Sequence, residues 1–293
     1  MARSTRYKGR FAPSPTGPLH LGSLCTALAS WLDARAHGGQ WLLRIEDIDR
    51  ERCDVSHAQS IIESLQAHGL EHDGPIGWQS RRGLRYRNAL ARLHGQQLLY
   101  RCNCSRKRIE MQLLEAGWQA LPGAERPYPG FCRSLMRSSG AGALRFIVPD
   151  QAVRFQDRFA GLQSSCLSRS LGDFVVLRAD GLNSYHLAVV VDDEADGVTD
   201  VVRGDDLLES TARQIALQDA LGYRRLRYGH IPVLKDAEGQ KLSKQQGALP
   251  LRAEQAPSNL QAAARHIGLG QLQAGSIPAF LEQAIEAWAQ RWL

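Results

Sequence analysis

Apolar residues recur along this chain in two alternating rhythms. Short runs at Tyr7–Ala12, Trp41–Ile45, Val175–Arg178, Ser184–Val191 and Tyr228–Val233 are continuously apolar or alternate with polar positions, which predicts strands. Longer segments carry apolar residues three and four apart, at Leu19–His37, Asp54–His68, Arg81–Gln97, Leu207–Leu221, Ser258–Ile267 and Ile277–Trp292. That spacing predicts helices. Strand and helix alternate at both ends of the chain, so the fold expected is α/β, with a parallel sheet and crossover helices. Between residues 101 and 169 the alternation stops. A cysteine cluster and the stretch Leu121-Pro-Gly-Ala-Glu-Arg-Pro-Tyr-Pro-Gly stand there instead, which predicts an inserted subdomain. The domain division expected is 1–100, an insertion over 101–169, a second half over 170–246, and a small helical tail over 247–293.

The junction between the first strand and the first helix is dense in chain breakers. Pro13-Ser-Pro15-Thr-Gly17-Pro18 must end the strand and turn the chain, and Leu21, Leu24, Leu28, Trp31 and Leu32 then give the helix its apolar face. A helix start reached through such a turn presents unpaired backbone N–H groups and a positive dipole end, which favour a phosphate. His20 stands there as a donor, and Gly22 removes a side chain where a flat ring could approach the backbone. Lysine is scarce: among 36 basic residues only Lys8, Lys107, Lys235, Lys241 and Lys244 are lysines. Two of them fall in Lys241-Leu-Ser-Lys244, where compact ammonium groups on flexible stems suit a triphosphate whose charge moves during reaction. Either segment alone is equally a chance match or a solvated loop.

Both segments together resemble the class I aminoacyl-tRNA synthetases, and more closely their glutamyl-type members. Arg10-Phe-Ala-Pro-Ser-Pro-Thr-Gly-x-Leu-His20, Arg44-Ile-Glu46-Asp47, and Asn183-Ser-Tyr185 through Asp192-Asp193 to Val202-Arg203-Gly204 follow their motifs in order, over roughly residues 7 to 245. The resemblance implies a Rossmann-like parallel-sheet catalytic domain with an inserted zinc-bearing subdomain and a short helical C-terminal tail. It implies ATP sites at Pro13, Gly17, His20, Gly22, Ser23, Lys241, Leu242, Ser243 and Lys244, with His20 and Lys244 catalytic and Mg2+ carried largely by the phosphates. L-Glutamate would be bound by Arg10, Phe11, Ala12, Pro13, Ser14, Glu46, Tyr185 and Arg203. A guanidinium fork suits a carboxylate, and Glu46 suits the α-ammonium. Ser23 stands where the larger enzymes carry a second His. The chain ends 49 residues after Lys244, so no anticodon-binding region is expected.

These departures resemble glutamyl-Q tRNA(Asp) synthetases, shortened paralogues that activate glutamate and attach it to the queuosine base of tRNA(Asp). The rival readings are an ordinary glutamyl-tRNA synthetase-type ligase acting on a tRNA 3′ end, and a non-catalytic RNA-binding relative.

Six cysteines bear on the insertion. Cys102-x-Cys104 brings two thiolates close and Cys132 offers a third, the donor type zinc prefers. The family pattern supplies Tyr128 as the fourth ligand, an uncommon one, and plain unmetallated thiols remain the other reading. Cys25, Cys53 and Cys166 read as packing residues or inert thiols.

Composition adds bounds. With 43% hydrophobic residues a packed core is available, and no run of about 18 apolar residues suggests a membrane span. No apolar leader follows the first residues, so a cytoplasmic protein is expected, and nothing demands more than a monomer. The net charge is +6, yet nine Arg or Lys and no acid fall between Ser80 and Arg108. That stretch is either a face for polynucleotide phosphates or a solvated basic helix.

Overall fold

Strand β1 (Lys8–Phe11) pairs in parallel with β2 (Gln40–Ile45), and β2 with β3 (Gly77–Trp78). The connections are the crossover helices α1 (Leu21–Ala36) and α2 (Val55–Ala67). After α3 (Gly83–Gly95) the chain enters a small antiparallel sheet of β4 (Leu99–Cys102), β5 (Ala143–Phe146) and β8 (Phe174–Leu177). Helix α4 (Arg106–Glu115) follows β4. The hairpin β6 (Val153–Asp157) and β7 (Gly161–Ser165), then the single turn α5 (Leu167–Ser170), precede β8. Helix α6 (Tyr185–Asp196) leads to β9 (Asp200–Gly204), α7 (Leu208–Leu221) and β10 (Arg227–Ile231). Two helices close the chain, α8 (Ala256–His266) and α9 (Ile277–Trp292). This computed structural model describes residues 6–49, 51–119, 125–137, 139–235 and 249–293.

The parallel order expected from the alternation is present. Strand β10 pairs in parallel with both β9 and β6. Strand β9 lies beside β1, where the Thr199 N–H donates to the Lys8 carbonyl at 2.8 Å. The two parallel groups therefore meet along β1 and β9, the strands that carry Arg10 and Arg203. The hairpin β6–β7, drawn from within residues 101–169, belongs to this sheet and not to the cysteine-bearing one.

One expectation differs from the structure. Ser184–Val191 is helical, not a strand. The Val189-Val190-Val191 run suggested β structure, but the cost of β-branched residues in a helix is only a few tenths of a kcal/mol each. Against it stand an N-cap, in which Ser184 Oγ accepts the Leu187 N–H, and Gly197 at φ 69°, a left-handed C-terminal stop. The tail is helical, and Leu260, Ala263, Ala264, Phe280, Leu281 and Trp288 in it share one core with α1, β1 and β2. A second core lies among α3, α6 and α7, and a third, small one holds Tyr100, Cys102, Ile109, Leu113 and Tyr128.

Candidate active site

Strand β1 ends at Phe11, and an irregular turn carries the chain to α1. His20 caps that helix, its Nδ1 accepting the Ser23 N–H at 3.3 Å. A neutral imidazole that accepts at Nδ1 carries its proton on Nε2, so the cap makes His20 a donor there. Two backbone bonds fold neighbouring segments onto the turn: Glu46 N–H to the Pro13 carbonyl and Asp54 N–H to the Pro15 carbonyl, each 3.0 Å.

All eight residues expected for glutamate, Arg10, Phe11, Ala12, Pro13, Ser14, Glu46, Tyr185 and Arg203, line one cavity of about 260 Å³. Ser23 also lines it, whereas Gly17, His20 and Gly22 are not part of its wall. Lys241, Leu242, Ser243 and Lys244 lie outside the described residues.

The charges around this cavity are buried and unevenly matched. Arg10 forks onto Asp193, Nε to Oδ1 at 3.2 Å and Nη2 to Oδ2 at 3.3 Å. Arg44 reaches the same carboxylate at 2.7 Å and also pairs with Asp196 at 3.2 Å. Burial opposes ionisation of Asp193, but Arg10 and Arg44 outweigh it and hold the carboxyl below its usual range. Glu46 fares differently. It lies 3.6 Å from Arg44, a partner already shared among other carboxylates, and its Oε1 accepts no hydrogen bond. Burial pushes its carboxyl up to about 7, against the pull of Arg44 and Arg10. Arg203, 3% exposed, has only neutral acceptors: His230 Nε2 at 3.0 Å, Thr211 Oγ1 at 2.8 Å, the Leu207 carbonyl at 3.3 Å and the Tyr185 hydroxyl at 3.5 Å. Among the described residues it forms no ion pair.

Sequence reading placed Asp193 in a motif but gave it no role, and missed His230 and Asp157. Asp193 stands eight residues after Tyr185, two helical turns and so on the same face, a signal hidden once the segment is read as a strand. His230 and Asp157 carry no motif of their own.

The three cysteines and the tyrosine also meet. The Sγ atoms of Cys102, Cys104 and Cys132 all lie within 4.8 Å of one another. Cys104 Sγ is 3.6 Å from Cys132 Sγ, and the Tyr128 hydroxyl is 3.3 Å from Cys102 Sγ while accepting the Cys132 N–H at 2.9 Å. Burial works against a Cys102 thiolate, but Tyr128 and Arg145 prevail and bring it down to about 7. Cys25, by contrast, is pushed by burial up to about 12, an inert packing thiol.

A second cavity, of about 650 Å³, is lined by Arg106, Trp118, Tyr128, Arg145, His186 and Arg213. Arg81, Arg85, Arg87, Arg92, Arg106, Lys107 and Arg108 are exposed. Arg82 is not: it turns inward to Asp192 at 3.1 Å and Asp196 at 2.9 Å. No helix of the described residues is long and apolar enough to cross a membrane.

The sequence profile of the tRNA synthetases class I (E and Q), catalytic domain, matches residues 7–259. A glutamyl-Q tRNA(Asp) synthetase of Burkholderia cenocepacia (strain HI2424) is 50% identical over 292 residues, 98% of this chain and 97% of that one. The chain belongs to the glutamyl-Q tRNA(Asp) synthetase family. Another member of that family, from Leptothrix cholodnii, is 50% identical over 97% of both chains. Among solved structures, a glutamate tRNA ligase from Elizabethkingia meningosepticum in complex with its amino acid superposes with a TM-score of 0.79 at 26% identity, covering 96% of this chain. This chain spans 64% of the length of that ligase. A putative arginyl tRNA synthetase from Campylobacter jejuni, 12% identical with a TM-score of 0.53, shares the fold alone. The likeness to the Elizabethkingia meningosepticum ligase extends over the α/β elements that carry the cavity described above.

Proposed function

We propose that this protein activates L-glutamate with ATP, without help from tRNA, and transfers the glutamyl group to the queuosine base at the wobble position of tRNA(Asp). One observation carries the first half. Among the described residues, the cavity sets a buried guanidinium with no ion-pair partner, Arg203, against a buried carboxylate oxygen with no hydrogen bond, on Glu46. Each is costly until a ligand of opposite charge meets it. An amino acid with an extra carboxylate supplies both charges at once: a carboxylate for Arg203 and the α-ammonium for Glu46. Arg10 is half spent on Asp193, so its part is to shape the pocket and lend positive potential.

The reaction is acyl activation. The glutamate α-carboxylate attacks the α-phosphorus of ATP, and pyrophosphate leaves. The residues position the reactants and stabilise phosphate charge. His20 donates from Nε2, and Pro13, Gly17, Gly22 and Ser23 cradle the nucleotide at the start of α1. Lys241 and Lys244, with Leu242 and Ser243 between them, are assigned to the ATP phosphates by their motif alone, and Mg2+ comes with ATP. In the second step a hydroxyl of the RNA acceptor attacks the carbonyl of the glutamyl-adenylate, gives up its proton and takes the glutamyl group, and AMP leaves. The names of the 50%-identical relatives support that acceptor, and the exposed arginines of α3 and α4 offer counter-charge for the RNA backbone.

Cys102, Cys104, Cys132 and Tyr128 would hold a structural zinc ion. Thiolates bound to one tetrahedral zinc stand about 3.8 Å apart, given Zn–S of about 2.3 Å. The 3.6 Å between Cys104 and Cys132 fits that spacing.

The test is pyrophosphate exchange into ATP with no RNA present. Exchange with glutamate, and little with glutamine or aspartate, is expected. Exchange that appears only on addition of tRNA(Glu) would favour an ordinary glutamyl-tRNA synthetase, and silence in both cases a non-catalytic relative.

A further inference from the structure

The acceptor that faces Arg203 has its own support. Arg203 on β9 and His230 on β10 are directly opposed in the parallel register, and Asp157 ends β6 on the far side of β10. A guanidinium only donates, so the Arg203 Nε–H at 3.0 Å requires a lone pair on His230 Nε2. The imidazole proton is then on Nδ1, 2.6 Å from Asp157 Oδ2. Asp157 cannot turn away, because its Oδ1 accepts three backbone N–H groups: Phe159 at 3.0 Å, Ala160 at 2.9 Å and His230 at 3.1 Å. Thr211 Oγ1 accepts from Arg203 Nη2 at 2.8 Å and closes the remaining side, 3.2 Å from His230 Nε2. All four side chains are buried.

We infer that Asp157 and His230 are positioning residues for substrate carboxylate binding, acting through Arg203: Asp157 fixes the imidazole tautomer, and the imidazole fixes the guanidinium. The chemistry explains the choice of intermediary. A carboxylate placed directly on Arg203 would compete with the substrate for its charge, as Asp193 does on Arg10. A neutral imidazole orients the fork and leaves the charge for the ligand. A polar group whose only purpose was to fill the sheet would be replaceable by an apolar one at little cost. This inference rests on the reading of Arg203 as a glutamate-binding residue.

Three variants test it in RNA-free pyrophosphate exchange. Asp157→Asn keeps a carbonyl for the three backbone N–H groups but turns a donor toward Nδ1. The imidazole proton then moves to Nε2, against the Arg203 N–H. The expected result is a KM for glutamate raised about tenfold or more, with the KM for ATP and kcat within about twofold of wild type. His230→Asn should act alike, because it leaves Arg203 without its acceptor. His230→Gln, which can place an amide oxygen near the Nε2 position, should recover most of the loss. The nitrogen NMR shifts of His230 should show a protonated Nδ1 in the wild type.

A protonated Nε2 overturns the inference. So does an unchanged glutamate KM in Asp157→Asn, or an equal loss in His230→Gln and His230→Asn. Should Asp157→Asn fail to fold, the two His230 variants decide. Arg203→Ala separates the two levels. If it too leaves the glutamate KM unmoved, the reading of the pocket has failed, whereas a raised KM there with a normal one in Asp157→Asn and both His230 variants overturns only the positioning role.

Discussion

In the role proposed for it, Glu46 needs its charge to hold an ammonium, yet its surroundings resist that charge. Burial lifts its carboxyl to about 7 even with Arg44 and Arg10 nearby. Between its ordinary 4.5 and about 7 the folded protein therefore holds a proton that the unfolded chain releases. The stability Glu46 contributes is present at acid pH and lost as pH rises through about 7. Glu46→Gln removes that dependence, so it should raise the unfolding temperature relative to wild type at pH 8 more than at pH 5. The limit is about 3 kcal/mol, from about 1.4 kcal/mol per pKa unit. The same variant should lose glutamate-dependent exchange. Thermal unfolding of both proteins at the two pH values checks this, and an equal difference at both would show that Glu46 is not strained by its burial. Bound glutamate relieves the strain by bringing its ammonium, so substrate should shift the apparent wild-type pKa of Glu46 downward.

At the scale of elements, α6 and the cysteine sheet show how local segments serve separate sites. Helix α6 sends Tyr185 to the pocket from its first turn and Asp192, Asp193 and Asp196 to the buried arginines from its last. The cysteine cluster sits at the end of β4, where Arg145 from β5 stacks on the Tyr128 ring at 3.6 Å. That sheet shares no strand with either of the two that carry Arg10 and Arg203. Cys132→Ser should therefore lower bound zinc from about one equivalent to well below it while changing the glutamate KM little. Elemental analysis of purified protein together with exchange kinetics would show it, and a full equivalent of zinc in the variant would remove Cys132 from the ligand set.

For the whole molecule, Asp33 is the meeting point. It is fully buried on α1 and accepts hydrogen bonds from the Tyr7 hydroxyl, from both Arg158 Nη atoms at 2.5 and 2.8 Å, and from Trp288 Nε1 at 3.0 Å. Those partners come from the chain start, the β6–β7 turn and the last helix, so one carboxylate ties three distant segments beneath the sheet. Trp288→Ala would open a cavity in this core and leave Asp33 short of a donor. A loss of about 3–5 kcal/mol in denaturant-induced unfolding is expected. A loss below about 1 kcal/mol would mean that α9 docks only loosely on α1.

Much of this was legible along the chain. The periods of two and of three-to-four residues located every long helix outside the insertion except α6, because those helices bury one face against a sheet and so repeat at their own pitch. That Arg10, Phe11, Ala12, Pro13, Ser14, Glu46, Tyr185 and Arg203 would share one cavity was legible because all eight sit in contiguous motifs at strand ends and helix starts. What only the tertiary structure decided is who compensates whom. Nothing in the spacing says that Arg10 is taken by Asp193 while Arg203 is not, or that Asp157 reaches His230 across the sheet. Those facts arise from residues 27 to 183 positions apart. Burial, which raises the Glu46 carboxyl, is a property of the packed molecule. Local pattern determined the elements because it acts through neighbouring residues, whereas the sheet order that brought β6, β10 and β9 together determined the chemistry of the pocket.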